Sequence, residues 1–310
     1  MSGGLAEAAL APWGGAGAPP RLVVDRENAV YEVQLRSGQR AALRLHRPGY
    51  RSPAAIEAEM AWTSGLARAG FPCPRPIPAE TGALLARAPD GRAASVVAWI
   101  DAPPLAEGGP RPEAFRRLGV LVARLHAETD ALAPRCDALP SWTGESLLGE
   151  KPAWGRFWTH PDLTPDEVQL LQIVRSEARA RLDALPEPDF GPIHGDLLLD
   201  NVLEAPERLW LIDFDDSGMG YRGYDLGTAL VAHAERPDYP DLAAALVAGY
   251  ASHRGNAARV AAELPLFVML RALASCGWVL SRTQPGDPRR RAYADRAVRL
   301  AERWLARRGP

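Results

Sequence analysis

The sequence predicts an α+β fold in which an N-terminal antiparallel sheet with one helix precedes a larger, mainly helical part. Strand-like apolar runs dominate the first hundred residues, and helical periodicity dominates the remainder. Residues 102–112 between the two parts are rich in Pro and Gly, as is typical of a linker. We therefore expect two domains, formed by residues 1–100 and 101–310.

The strands and the helix of the first part follow from local sequence signals. Turn residues separate apolar runs, which predicts five strands. Ser52 followed by Pro53 is typical of a helix start, because Ser caps the helix and Pro fits its first position. A short N-terminal helix over residues 5–13 is also predicted. The five strands are expected at residues 21–24, 29–35, 41–45, 83–87 and 94–99.

Apolar residues at helical spacing and helix-capping residues predict the second part. Residues 135–162 interrupt this pattern and are irregular and aromatic. The Gly-rich stretch at 217–224 predicts a tight, adaptable turn. Helices are expected at residues 113–129, 164–185, 226–233, 241–253, 258–281 and 288–307.

Composition excludes several classes of function. The 310 residues are 47% apolar and 24% charged with a formal net charge of −2, so nucleic acid is not expected as a partner. We expect no apolar run long enough to span a bilayer and no membrane partner, and hence a cytoplasmic protein. The three cysteines show neither metal nor redox spacing. Lys151 is the only lysine.

Two neighbouring motifs place two carboxylates and an amide close together. The first is His-Gly-Asp-x-x-x-x-Asn at residues 194–201, and the second is Ile-Asp-Phe-Asp at residues 212–215. Residues 201–203 and 209–212 read as two strands joined by a turn, and such a hairpin would bring Asp213 beside Asn201. Carboxylate and amide oxygens suit Mg²⁺. Asp196 would then act as a base for an acceptor hydroxyl in phosphoryl transfer from Mg-ATP.

These two motifs resemble the catalytic and metal loops of the aminoglycoside phosphotransferase family. That family is similar to protein kinases, which have His-Arg-Asp-x-x-x-x-Asn and Asp-Phe-Gly. Within the family, the pattern is closest to the stress response kinase A and type II homoserine kinase branch. The resemblance implies a two-lobed protein-kinase-like fold and ATP- and Mg²⁺-dependent transfer of the γ-phosphoryl group. The acceptor would be a hydroxyl of a small molecule or of a protein Ser or Thr.

The resemblance also assigns an ion pair to the nucleotide site. Kinases have a lysine on the third strand, and Arg44 stands in that place here. An arginine keeps the charge and grips phosphate with two donors, although Arg44 could instead be an ordinary surface residue. A buried Arg44 needs an anionic partner. Glu59 matches the paired glutamate of the family, and Glu57 is the alternative.

Backbone groups of the first domain complete the nucleotide site that the resemblance implies. The polar turn at residues 25–28, including Asn28, corresponds to the glycine-rich phosphate loop of kinases, although it contains no glycine. An ordinary hairpin turn is the alternative. The backbone around Ala98 and Ile100 would bind the adenine edge, and a plain buried edge strand is the alternative there.

Further residues would support the site. His194 would brace the catalytic loop. Asp225 would be buried and accept hydrogen bonds from loop amides, or cap the following helix, or do both. Asp215 and Asp216 would hold a second magnesium ion, attract a cationic acceptor, or remain solvated. His126 is expected to be a structural histidine with its polar atoms satisfied.

Two alternatives to a kinase remain at this stage. A nucleotide-binding pseudokinase acting as a regulatory or binding module would account for the missing lysine and glycines, but not for the intact Asp196, Asn201 and Asp213. A binuclear phosphatase is less consistent, because the Asp-x-His motif that usually opens such a site is missing. The aromatic residues of 135–162 form either a wall of the acceptor pocket or packing for a long excursion.

Overall fold

The computed structural model describes residues 2–26, 28–186 and 188–306. The chain forms two compact units, and each is discontinuous in sequence. The first unit comprises Met1–Glu107, Glu128–Pro140 and Asp200–Asp215, and the second comprises Gly108–Ala127, Ser141–Leu199 and Asp216–Pro310. The functional division at residue 100 stays a prediction. Glu27, in the polar turn, lies outside the described residues.

A five-stranded antiparallel sheet forms the centre of the first unit, with strand order β1-β2-β3-β5-β4. Ala41, Leu43 and Leu45 on β3 are fully buried, and Arg44 between them points to the opposite face because side chains alternate along a strand. The strands are β1 (Arg21–Asp25), β2 (Ala29–Gln34), β3 (Arg40–Leu45), β4 (Ala86–Arg87) and β5 (Ala93–Ala98). Strand β4 is shorter than predicted, whereas the other four lie within one or two residues of their predicted bounds.

Two helices accompany this sheet. Helix α1 (Ser2–Ala9) is followed by a 3-10 turn (Ala11–Trp13), so the predicted N-terminal helix is present in two pieces. Helix α2 (Pro53–Arg68) begins as predicted, and Ser52 Oγ accepts a hydrogen bond from the Ala55 amide at 3.2 Å. The apolar face of α2 is buried, which holds the helix in a fixed position in the first unit.

The predicted hairpin is confirmed and belongs to the first unit. A 3-10 turn (Leu199–Asn201) leads into β8 (Val202–Glu204), and β9 (Leu209–Leu211) returns antiparallel to it. The Leu211 amide donates to the Pro72 carbonyl at 2.9 Å, and the Glu204 amide donates to the Pro103 carbonyl at 2.8 Å. The Pro-rich stretches at residues 72–78 and 102–112 therefore both bind the hairpin.

Helices form most of the second unit. Helix α5 begins with a capping box between Thr164 and Glu167, as predicted. Gly227 on α6 allows a close approach to α8, because an added Cβ would lie 2.4 Å from the Phe267 carbonyl carbon. The helices are α3 (Pro112–Leu132), whose last turn belongs to the first unit, α4 (Gly144–Leu148), α5 (Pro165–Asp183), α6 (Arg222–Val231), α7 (Tyr239–Ala251), α8 (Ala257–Trp278) and α9 (Pro288–Ala306).

The prediction of a glycine-rich turn after the second motif is wrong. Strand β10 (Gly218–Tyr221) forms there, between β7 (Phe190–Ile193) and the short β6 (Ser141–Trp142). An added Cβ at Gly220 would lie 2.5 Å from the Ile193 side chain. The glycine therefore serves close packing of strands rather than a turn.

The expectation that no apolar run could span a membrane is also wrong by length and composition. The helical stretch Ala257–Ser281 meets both criteria. However, the most apolar 18-residue part of this stretch is 72% buried inside the protein, as is usual for a central core helix.

Candidate active site

Strand β7 ends at Ile193, and the loop that contains the first motif follows it directly. Gly195 has φ +80°, a left-handed conformation that favours glycine. An added Cβ there would lie 2.3 Å from the Asp216 carbonyl oxygen. Both the conformation and the available space therefore require glycine immediately before Asp196.

The buried carboxylate of Asp225 binds the backbone of this loop. Its carboxylate accepts hydrogen bonds from the amides of His194 at 2.9 Å and Gly195 at 2.8 Å, and His126 Nε2 lies 3.0 Å from it. Burial would raise the pKa of Asp225, but the hydrogen bond to His126 and the interactions with His194, including its amide, lower that pKa below its ordinary value. Asp225 therefore supplies a buried negative charge that orders the loop backbone.

Three residues predicted to have structural roles, Asp225, His194 and His126, are all buried. Helix α6 begins at Arg222 with Tyr221 as its N-cap, so Asp225 lies inside the first turn and the alternative of a helix cap is wrong. His194 is fully buried, and its Nδ1 accepts a hydrogen bond from the Asp196 amide at 3.3 Å. His126 is satisfied by Asp225 and by the Tyr250 hydroxyl at 2.9 Å, as predicted.

Arg271 was not predicted as a site residue, yet it contacts the proposed base. Its Nη2 lies 2.5 Å from Asp196 Oδ1, and its Nη1 donates to the Gly195 carbonyl at 3.3 Å. Burial opposes the charge, but Tyr224 and Asp196 outweigh it and raise the pKa of Arg271 above its ordinary value. A single arginine in the middle of the apolar α8 was the available signal, because a buried charge needs a partner.

Two indole rings lie beside the same loop. Trp142 donates from Nε1 to the Asp216 carbonyl at 2.9 Å and stacks on Trp154 with ring centroids 5.1 Å apart. Phe157 and Trp158, from the same aromatic stretch, are buried against each other. The stretch thus contributes both to packing and to the surroundings of the catalytic loop.

The proposed metal ligands lie together at the open end of the β8–β9 hairpin. The Ile212 amide donates to the Asn201 carbonyl at 2.9 Å, which places Asp213 one residue beyond this bond. Asp213 has φ +63°, an uncommon conformation for a residue with a side chain, and its side chain is 46% exposed. The accessible carboxylate of Asp213 and the side-chain amide oxygen of Asn201 are ligands of the hard type that Mg²⁺ prefers.

Protein side chains alone do not complete a metal site. Across the described ranges 2–26, 28–186 and 188–306, no group of three or more His, Cys, Asp or Glu side chains could hold a metal ion. Mg²⁺ usually keeps several waters and binds one or two protein ligands together with substrate phosphates. A pair of ligands such as Asn201 and Asp213 is consistent with that pattern.

The ion pair predicted between Arg44 and Glu59 is present. Arg44 Nη1 lies 3.3 Å from Glu59 Oε1, and Glu59 is 4% exposed, whereas Glu57 is exposed. Arg44 also contacts Asp213 at 3.0 Å and Asp215. Burial opposes the charge on Arg44, but these carboxylates, Asp215 foremost, raise the pKa of the guanidinium above its ordinary value.

Asp215 is not a solvated charge. Its side chain is 14% exposed, and it accepts hydrogen bonds from Arg44 and from the side-chain amide of Asn28. Its backbone carbonyl accepts from Arg51 Nε at 3.0 Å. Asn28 Oδ1 in turn accepts from the Arg47 amide at 2.9 Å. The side chain of Asn28 therefore binds Asp215, shortly after β9, whereas a role for the backbone of its turn at phosphates stays a prediction.

The proposed adenine contacts lie at the end of β5. The Ala98 amide donates to the Arg75 carbonyl at 2.8 Å, so that N–H is already used within the first unit. Ile100 follows the strand and is half-buried. A role for these two residues in binding adenine stays a prediction.

The fold and the two motifs define a phosphotransferase with a protein-kinase-like fold. The chain belongs to the phosphotransferase enzyme family, abbreviated APH, because the sequence model of that family matches residues 21–264. The predicted aminoglycoside phosphotransferase family and fold class are thus confirmed.

Relatives extend this result in two ways. An uncharacterized protein of Deinococcus radiodurans is 31% identical over 276 residues, which cover 85% of this chain and 78% of that protein. A homoserine kinase of Sinorhizobium fredii is 31% identical over 216 residues, which cover 67% of this chain. The match spans only 62% of the length of that kinase.

Solved structures share the fold over nearly the whole chain. The microcompartment-associated aminopropanol kinase is 30% identical with a TM-score of 0.87, and the match covers 98% of both chains. An amicoumacin kinase solved with AMP-PNP, Ca²⁺ and its antibiotic is 20% identical with a TM-score of 0.76, covering 93% of this chain and 88% of that one. The second likeness establishes the fold alone.

Proposed function

We propose that this enzyme transfers the γ-phosphoryl group of ATP, with Mg²⁺, to the hydroxyl of a small amino alcohol. The observation that carries the proposal is the cluster of Arg44, Asn201 and Asp213 in the first unit. It combines a buried cation with two oxygen ligands of the type that magnesium prefers. A magnesium-bound triphosphate presents the complementary charges.

The first unit would bind the nucleotide. Arg44, held by Glu59, would pair with the phosphates, and the carbonyl of Ala98 and the amide of Ile100 would bind the adenine edge. Asn201 and Asp213 would hold Mg²⁺, which when bound neutralises charge on the phosphates.

The second unit would supply the acceptor side. Asp196 would orient the acceptor hydroxyl and take its proton as the new O–P bond forms. Arg271 would hold the Asp196 carboxylate in place, and His194 with Asp225 would hold the loop that carries it. These residues act without forming a covalent intermediate.

An amine on the acceptor is supported by two observations. Relatives of about 30% identity include homoserine kinases and an aminopropanol kinase, and both homoserine and aminopropanol carry an amine and a hydroxyl. In the second unit, the carboxylates of Asp196 and Asp216 both act on the charge of Arg271, and Trp142, stacked on Trp154, donates a hydrogen bond to the Asp216 backbone carbonyl. Carboxylates and indoles are the side chains that bind organic cations. We place the reaction in the cytoplasm.

A matched panel of acceptors tests this proposal. Purified enzyme with Mg-ATP is assayed for ADP formation with 1-amino-2-propanol, ethanolamine and homoserine. Controls are 2-propanol, which lacks the amine, isopropylamine, which lacks the hydroxyl, and a Ser/Thr-rich protein. We expect turnover with the three compounds that carry an amine and a hydroxyl, and none with the three controls.

Two results would contradict the proposal. Equal turnover with 2-propanol would remove the amine from the substrate class. Binding of Mg·AMP-PNP without turnover on any acceptor would favour the pseudokinase alternative.

A further inference from the structure

Three departures from the protein-kinase pattern lie in contact within the first unit. Arg44 replaces the lysine of the third strand, Asp215 replaces the glycine of Asp-Phe-Gly, and Asn28 lies in a turn that lacks the phosphate-loop glycines. Asp215 accepts hydrogen bonds from both Arg44 and Asn28. Departures that are 171 and 187 residues apart in sequence thus meet at one carboxylate.

We propose that Asp215 is a positioning residue that, with Asn28, holds Arg44 in the place where kinases use a lysine. This inference rests on the proposed function, because the role of Arg44 is to bind the nucleotide phosphates. It predicts that Arg44 and Asp215 depend on each other, so that neither can be changed alone without loss.

The planar shape of the Arg44 guanidinium explains why Arg44 and Asp215 depend on each other. Arg44 Nη1 contacts both Glu59 and Asp215, while Nη2 contacts Asp213. A planar fork with five donors can hold several carboxylates at fixed angles, whereas a lysine ammonium is a point charge on a flexible stem. A lysine at position 44 would leave the mostly buried Asp215 without this partner, which is costly for a buried charge.

The chain between β3 and α2 supports the same carboxylate, which gives a use to the segment Arg47-Pro48-Gly49-Tyr50-Arg51. Its first residue donates a backbone hydrogen bond to Asn28 Oδ1, and its last donates from Nε to the Asp215 backbone carbonyl. The segment therefore binds Asn28 at its first residue and Asp215 at its last residue. Because the Arg51 bond goes to the backbone, it persists when the Asp215 side chain is removed.

A double-mutant cycle tests the dependence. The dissociation constant of Mg·AMP-PNP is measured by titration calorimetry for wild type, Arg44→Lys, Asp215→Gly and the double variant. We expect each single substitution to weaken binding about tenfold, within the usual range for coupled contacts. The double variant recreates the lysine and glycine of the kinase pattern, and we expect its affinity to return to within about threefold of wild type.

Matched variants separate positioning from general damage. Arg40→Lys makes the same chemical change on the same strand, at an exposed pair with Glu32, and should leave the dissociation constant unchanged. Circular dichroism checks folding, and Asp215→Asn takes the place of the glycine variant if that variant does not fold. A merely structural role for Asp215 would not produce recovery in the double variant.

The outcomes are distinct. If wild type binds Mg·AMP-PNP and the two single effects simply multiply, the inference is overturned while the proposed function stands. An unchanged affinity for Asp215→Gly overturns it equally. If wild type does not bind Mg·AMP-PNP, the proposed function fails, and the inference fails with it.

Discussion

The carboxylate of Asp196 is held by an arginine from a helix 75 residues away in sequence. In phosphoryl transfer the protein contributes mainly position and charge, so the orientation of this carboxylate decides how well an acceptor hydroxyl is aligned. The loop backbone is fixed from the other side by Asp225. Substitution of Asp196 therefore tests its role in proton transfer, and substitution of the residues that contact its loop tests the positioning of its carboxylate.

Replacement of Asp196, the proposed base, tests the chemistry directly. Asp196→Asn keeps the size of the side chain but removes the proton acceptor. We expect kcat to fall by about 10²- to 10⁴-fold, a typical contribution of a general base. The dissociation constant of Mg·AMP-PNP should change little, and calorimetry measures it. Unchanged turnover would refute the assignment of Asp196 as the base.

Replacement of Arg271 tests positioning. Arg271→Ala leaves Asp196 and the Gly195 carbonyl without their guanidinium partner, and we expect kcat to fall about 10- to 100-fold, as for other losses of alignment. Added guanidinium ion should restore part of the rate, because it can occupy the vacated space. The control is Arg290→Ala, since this buried arginine donates hydrogen bonds to the hydroxyl and the carbonyl of Thr283 and to the Leu280 carbonyl. Equal loss in both variants would indicate damage to the fold alone.

Among the elements, the catalytic loop depends on a glycine whose surroundings leave no room for a side chain. Gly195→Ala would place a methyl group in a left-handed conformation and 2.3 Å from the Asp216 carbonyl. We expect a loss of about 1 to 3 kcal/mol in the free energy of unfolding from the strain, and at least a tenfold loss of kcat because Asp196 shifts. Denaturant titration and turnover assays measure the two effects.

Substitution of a second glycine distinguishes the effect of backbone strain from that of a steric clash. Gly38, in the turn between β2 and β3, has φ +87°, and apart from its chain neighbours no heavy atom of the described residues lies within 4 Å of an added Cβ. Gly38→Ala should therefore cost stability through its conformation while kcat stays unchanged. If Gly195→Ala were as active as Gly38→Ala, the close approach at the loop would not matter for catalysis.

Elements that depend on local signals could be predicted from the sequence. The β8–β9 hairpin follows from apolar runs around a turn, and its geometry places Asp213 beside Asn201 without any distant information. Alternation along β3 similarly predicts that Arg44 leaves the core face, whereas Glu59 as its partner follows from the family resemblance.

Elements that depend on distant contacts could not be predicted. Strand β10 contains glycines that favour a turn, but it pairs with β7 and β6, and only the folded chain reveals those partners. The contacts of Asp215 with Asn28 and of Arg271 with Asp196 have no sequence periodicity. The sequence therefore predicts candidate reactive groups, and the tertiary structure shows which side chains contact them.

For the molecule as a whole, buried histidines link stability to pH. His46 is 5% exposed, and its Nε2 lies 2.9 Å from the Ser95 hydroxyl. Burial, together with the charge of Arg44, lowers the pKa of His46 from 6.5 to about 3. Burial lowers the pKa of His126 in the second unit in the same direction. Each of these histidines is thus neutral when folded at pH values where the unfolded chain would protonate it.

The sign of the resulting effect is fixed by linkage. Between pH 6.5 and about 3 the unfolded state binds a proton at position 46 that the folded state does not, so stability is full above this window and falls as pH decreases through it. One such proton costs about 1.4 kcal/mol per pH unit, or roughly 2 kcal/mol between pH 7 and pH 5. His46→Gln should reduce the loss of unfolding free energy between these pH values by about that amount, although the variant is less stable at pH 7. Denaturant titrations at both pH values measure the difference, with His253→Gln, at an exposed position, as the control. An unchanged pH dependence in His46→Gln would show that His46 is protonated in the folded state, contrary to its burial.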